Sequence, residues 1–269
     1  MQNVFICEDT PDILHKNPFV EDGAYDRGWT IVTLKAFPEA KNGISLMQKK
    51  TPDGIYHLIL NRNMPHFDTL TADILQYETS YGRKVLLASD RPVDDTTGWV
   101  AAFTTHFRET VVRDSDPRYL VHSTPLPIYV QIQRDGMLKC SSRLRREGVA
   151  VSPIGFAALG EPDDYLDHIM FAGGGVAPEI VVNSHLCGVE NYDVDVAYVP
   201  QARMYFDAHR IIRDGLFVRD AGYKVHDHLP LAPYLVHTVK ADDLVLPESH
   251  VYWTPALFAR QADAYVARF

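Results

Sequence analysis

"YLVHSTPLPIYVQIQRDGML", residues 119–138, is the stretch on which the fold turns. An apolar run ends on His122-Ser123-Thr124, a proline follows, and a helix-like segment then stops at Asp135-Gly136. Glycine adopts the left-handed closing conformation of a helix without steric cost, so Asp135-Gly136 reads as a helix stop. At the other end, Ser123 or Thr124 can cap the helix and Pro125 suits its first turn. "IIRDGLF" (211–217) repeats the form of "IQRDGML" (132–138), so this half holds two units of strand, short helix and closing glycine. Capping needs a hydroxyl but not His122. A histidine and two hydroxyls at the carboxyl edge of a strand gather polar groups where ligands often bind. The other reading is a core histidine bonded to backbone, which spacing alone favours.

The surrounding chain sets the class. Its 269 residues suffice for one large domain or two ordinary ones. With 46% hydrophobic and 23% charged residues it can bury a core, which excludes a disordered chain. The net charge of −9 argues against non-specific nucleic-acid binding by the whole surface, while leaving room for a local basic pocket. Cys7, Cys140 and Cys187 are odd in number and widely spaced, with no CxxC pair. They predict neither a disulfide framework nor a metal site, and a reducing, cytoplasmic setting is expected. "MQNVFICEDTPDILHK" lacks the basic start and long apolar stretch of a signal peptide. No apolar run approaches membrane-spanning length, so no membrane partner is expected.

Residues 1–115 read as a smaller α/β lobe. "IYHLIL" (55–60) and "KVLLASD" (84–90) are strand candidates, and "FDTLTADILQYETSYG" (67–82) between them is a helix candidate that Asp68 can cap. The order suits a parallel βαβ unit without a glycine-rich phosphate fingerprint. "VVRDSDPRYL" (111–120) is the expected linker. "ALGEPDD" (158–164) reads as a loop, and "AGGGVAP" (172–178), with no Lys-Ser or Lys-Thr after it, as a plain flexible connection. In His226-Asp227-His228, strand alternation would put both histidines on one face. Two ligands without a third are not a metal site.

"YLVHST…IQRDGML" resembles the first motif of the ADP-ribosyltransferase superfamily, a strand ending in His, a small residue and Thr, then a helix ending in Gly-Leu. "ARMYFDAHRIIRDGLFVRDAGYKVHDHLPLAPYL" (202–235) resembles the C-terminal block of KptA-type RNA 2'-phosphotransferases: Asp207-Ala208, Asp214-Gly215, Phe217, Arg219, Gly222, Leu229-Pro230 and Tyr234-Leu235 match it in order. "DHIMFA" (167–172) is similar to the strand between the blocks, with His168 matching. The chain departs from the family at Met170 and at Asp220-Ala221, where the turn is also one residue shorter. The Arg-His pair of the family's N-terminal lobe has only Tyr25-Asp26-Arg27 and Asp90-Arg91-Pro92 as weak substitutes.

The resemblance implies an α+β fold: a split, mostly antiparallel sheet of ADP-ribosyltransferase type over 116–269, preceded by the α/β lobe, 1–115, which would select the acceptor. It implies NAD as substrate and a macromolecular acceptor, RNA or protein, with transfer onto an RNA 2'-phosphate as one version. NAD hydrolysis and a non-catalytic nucleotide-binding module are the alternatives. His122 would fix the nicotinamide-side ribose, Ser123 and Thr124 would anchor that turn, and His168 would complete the NAD site. Arg219 and Asp220 would act in catalysis, Asp220 in place of the glutamate that many such transferases use to polarise a ribose hydroxyl. Arg143 and Arg146, in the dense basic cluster "KCSSRLRR", would neutralise pyrophosphate or an acceptor phosphate, because guanidinium pairs with phosphate in a bidentate way; the other reading of the cluster is a solvated basic face. Breaking the nicotinamide–ribose bond builds positive charge on the ribose, so the work required is positioning and electrostatics.

Overall fold

The computed structural model describes residues 3–12, 20–21, 24–25, 29–38, 46–52, 54–103, 110–152, 154 and 160–269. Asp26-Arg27 and residues 158–159 of the sequence reading lie outside these. The fold is mixed α and β, with several sheets, most of them antiparallel. Two compact units arise: Met1–Arg108 with Ala157–Pro162 and Arg219–Ala221, and Glu109–Phe156 with Asp163–Val218 and Gly222–Phe269. Among the described residues, no helix is long and apolar enough to cross a membrane.

The first unit contains β1 (Val4–Glu8), the short hairpin β2 (Val20–Glu21) and β3 (Ala24–Tyr25), β4 (Trp29–Lys35), β5 (Leu46–Lys50), β6 (Tyr56–Asn61), α1 (Phe67–Ser80), β7 (Lys84–Ser89) and α2 (Val93–Phe103). Its main sheet runs β1-β7-β4-β6-β5; only β5 is antiparallel to its neighbour. Ile31, Val32, Leu58, Leu60, Leu86 and Leu87 are wholly or almost wholly buried, as the near-continuous apolar runs of a parallel sheet require. The helix between β6 and β7 forms where its apolar spacing predicts. The two strands are not neighbours, however, because β4 lies between them. Nor does Asp68 cap α1: the cap is His66, held left-handed at φ 58°, and Asp68 sits in the first turn.

The second unit continues with β8 (Tyr119–Thr124), α3 (Leu126–Asp135), β9 (Met137–Lys139), α4 (Ser141–Arg146), β10 (His168–Phe171), α5 (Ala177–Cys187), β11 (Ala202–Asp207) and α6 (Ala208–Arg213). β12 (Phe217–Arg219), β13 (Tyr223–His226), β14 (His228–Pro230), β15 (Leu235–Val239) and α7 (Pro255–Val266) follow. Two three-stranded sheets form, β15-β11-β8 and β10-β13-β12, with β14-β9 as a separate pair. A bridge between Val121 and Ala172 ties β8 to the residue after β10. Leu120, Phe171, Met204, Phe206, Ile211 and Phe217 share one core, while Val121, Tyr205, Val239 and Ala262 share another. Successive residues of β8 therefore serve opposite faces, as strand pleating dictates.

Both closing glycines act as predicted. Gly136 caps α3 at φ 67°, and Gly215 follows α6 at φ 71°. The N-terminal cap of α3 differs from expectation: Pro125 occupies it without a side-chain bond, and the Leu126 N–H donates to Gln201 Oε1 at 2.9 Å. The Ser123 hydroxyl is thus left for another partner. Asp227, left-handed at φ 58°, breaks the chain between β13 and β14, so His226 and His228 do not alternate along one strand.

Candidate functional site

A cleft of about 290 Å³ opens in the second unit at the carboxyl end of β8. His122 and Ser123 form one wall, and Ala177, Pro178 and Val181 of α5 flank it. His168, Ile169, Met170 and Phe171 of β10 and Lys139, Cys140 and Ser141 line the cleft as well. A volume near the lower limit for small-molecule sites, about 300–1,000 Å³, suits one nucleoside half rather than a whole dinucleotide.

The histidines of the cleft are pinned through backbone. His122 Nδ1 lies 3.2 Å from the Met170 carbonyl oxygen. A carbonyl only accepts, so the proton resides on Nδ1 and Nε2 is an acceptor. Burial lowers the His122 pKa, and the Met170 bond only partly offsets this, which keeps the ring neutral near pH 7. The ring also packs edge-on against Phe171, with centroids 5.8 Å apart. His168 repeats the arrangement: Nδ1 donates to the Asp164 carbonyl at 2.9 Å, and burial lowers its pKa, helped by Lys224 and His226.

Behind the Ser123 wall lies a buried ion network that sequence reasoning missed. The Ser123 hydroxyl donates to Glu179 Oε1 at 2.5 Å, and Tyr198 donates to Oε2 at 2.5 Å. Arg203 Nη1 donates to Glu179 Oε1 at 2.9 Å. The same guanidinium reaches Asp263 Oδ1 at 2.7 Å and the Gly175 carbonyl at 3.0 Å. Asp263 in turn accepts from Tyr205 at 2.8 Å and from the Gly175 N–H at 2.9 Å. Glu179 and Arg203 are both 0% exposed. Burial, and after it the charge of Glu179, pushes the Tyr198 phenol far above its usual range, so it stays a donor. β-pairing makes the network possible, since Ser123 lies opposite Arg203 in the β8–β11 register. The glycine triplet is consequently not a plain flexible connection: both polar groups of the Gly175 backbone are held by charged side chains. Its only local signal was an acidic residue in the first turn of a helix, which is commonplace.

The predicted site residues divide. His122, Ser123 and His168 come together around the cleft. Thr124 is buried at the end of β8 and does not line it. Arg143 and Arg146 also lie off the lining. Both pair with Asp227, at 2.7 and 2.8 Å, and Arg143 bonds Glu147 as well, so their charge is met by carboxylates. Lys139, which does line the cleft, is held by Asp135 and Glu147. Arg219 ends β12 and Asp220 follows it, both buried and neither lining the cleft. Both group with the first unit, where Asp220 stands close enough to Glu78 to help raise its pKa, behind the larger effect of burial. Among the described residues, no group of three or more His, Cys, Asp or Glu side chains is placed to hold a metal ion. Comparison of the chain with protein-family models, with curated proteins and with solved structures finds no match.

Proposed function

We propose that the second unit is an NAD-dependent ADP-ribosyl transferase domain, acting on a macromolecular acceptor. The observation that carries this reading is His122: a neutral ring at the end of a strand, pinned by Met170 through Nδ1, with Nε2 left as the acceptor for a ribose hydroxyl. The apolar wall of Ile169, Met170 and Phe171 suits a nicotinamide face, and the cleft volume suits the nicotinamide riboside half. Two antiparallel sheets joined at the Val121–Ala172 bridge accord with the split sheet of ADP-ribosyltransferases. Catalysis would be positioning: the cleft holds ribose and ring while positive charge develops on the sugar and an acceptor nucleophile attacks. An RNA 2'-phosphate is an acceptor that arrives already nucleophilic; a protein side chain, or water in simple NAD hydrolysis, draws on the same cleft.

The placement of Arg219 and Asp220 off the cleft lining favours a second reading, a binder without chemistry. Incubation with NAD and chromatography of released nicotinamide separates the two. The transferase reading expects release, and a loss of about a hundredfold in His122→Ala with the fold intact. NAD that binds without release of nicotinamide leaves only the binder.

A further inference from the structure

Two loops of the second unit gather apolar side chains on its outside. An isolated antiparallel bridge joins Tyr198 to Trp253, and the Tyr198 N–H donates to the Trp253 carbonyl at 2.8 Å. Nearby, the Ala256 N–H donates to the Val194 carbonyl at 3.1 Å. Tyr198 and Trp253 both pack against Phe258, with Leu244 beside them. Side chains alternate across paired strands, so the next pair of the register, Val199 and Tyr252, turns outward. Val199 is 70% and Tyr252 49% exposed. Val251, which precedes Tyr252, is 90% exposed, and Val245, which follows Leu244, is 86% exposed. Pro200 and Pro247 stiffen the backbone of both loops. A single exposed apolar side chain is ordinary, but four brought together on one packed base mark an interaction surface.

The charge of the same two segments is one-sided. Residues 188–202 and 241–259 hold six carboxylates, Glu190, Asp193, Asp195, Asp242, Asp243 and Glu248, and no Lys or Arg. All six are exposed. We propose that this face docks a basic polypeptide segment, one that offers apolar side chains to Val199, Val245, Val251 and Tyr252 and cationic ones to the carboxylates around them. Arginine suits both tasks: its stem covers apolar surface while its guanidinium pairs with a carboxylate or stacks on the Tyr252 ring. The sign of the charge disfavours other occupants. A second copy would set the same carboxylates against one another across a two-fold axis. An anionic membrane surface or a nucleic acid would meet like charge. The proposal is independent of the NAD reading, since none of these residues lines the cleft.

The test titrates the full chain against three short fluorescent peptides and reads anisotropy: one of arginine and leucine, one with its leucines replaced by serine, and one with its arginines replaced by glutamate. The first is expected to bind at least about tenfold tighter than either of the others. Val199→Ser with Val251→Ser should weaken it by about tenfold and leave the melting temperature unchanged, because both side chains stand in solvent. Asp193→Asn with Asp195→Asn should weaken it at least about threefold and reduce its salt dependence. The first of these keeps the side-chain oxygen that accepts from the Asp195 N–H. Asp94→Asn with Asp95→Asn, on α2 of the first unit, controls for non-specific attraction and should change nothing. Equal binding of the three peptides, no binding of the first, unchanged affinity in the loop variants, or an equal loss in the control overturns the proposal. Dimerisation in sedimentation that the two serine substitutions abolish would give the face to a second copy and overturn it as well. Binding to phosphatidylserine vesicles that the same substitutions abolish would give it to a membrane, with the same consequence.

Discussion

Arg203→Met tests the buried network directly. The substitution keeps an unbranched apolar stem but removes the guanidinium that joins Glu179, Asp263, Tyr205 and the Gly175 carbonyl. Glu179, at 0% exposure, would then keep only the hydroxyls of Ser123 and Tyr198. Breaking a buried pair from one side costs about 3–5 kcal/mol, because a charge is left without its counterion. Asp263 adds little, since a third of its side chain reaches solvent. In a unit of this size each kcal/mol shifts the melting temperature by about 2–4 °C, so a fall of about 6–20 °C is expected. Replacing both partners, Arg203→Met with Glu179→Leu, should restore at least about 2 kcal/mol, because apolar groups substitute for a buried pair at little cost. Calorimetry of the full chain would read both values. A single variant costing less than about 1 kcal/mol, or a double variant whose cost is the sum of the two singles, would refute the claim that these charges depend on one another.

Other expectations follow from single residues. His57 is buried on β6, its Nε2 2.8 Å from the Thr33 hydroxyl, and burial, then Lys49 and Lys35, lowers its pKa to about 4. The unfolded chain protonates it near 6.5, so its contribution is complete above that pH and falls by up to about 3 kcal/mol as pH drops to about 4. His57→Gln should flatten this part of the pH–stability curve measured by urea unfolding; an unchanged slope would assign the acid sensitivity to other groups. The His122 pKa is lowered too, so NAD affinity should hold at neutral pH and decline in acid only below the ordinary histidine range, as Nε2 gains a proton. Affinity that rises in acid would show that His122 works as a cation. Gly136→Ala should cost about 1 kcal/mol in thermal unfolding, from backbone strain alone, because φ is 67° and a Cβ there meets nothing within 4 Å. A neutral result would mean that α3 can end without a left-handed residue.

Local signals were legible where the physics is local. Gly136 and Gly215 announced the ends of α3 and α6 because only glycine takes positive φ freely. The apolar runs of β6 and β7 and the spacing in α1 marked their elements to within a residue or two. Pairing was less legible: nothing within "IYHLIL" or "KVLLASD" says that β4 lies between them. The candidate site divides in the same way. His122 was visible as a polar residue at a strand end, yet the task of Ser123 was misread as capping because its partner, Glu179, is 56 residues away. Arg143 and Arg146 looked available for phosphate until folding placed Asp227, over 80 residues on, against both.

By itself, the sequence determined that β6, α1 and β7 form, that α3 and α6 close at Gly136 and Gly215 and that an apolar core must form, since each depends on neighbours within a few positions. Tertiary structure alone decided which charges meet. Glu179, Arg203 and Asp263 are ordinary surface-type residues in the linear chain. They become a buried network because the β8–β11 register, α5 and α7 converge on one wall, and a charge removed from water must find its partners wherever the fold brings them.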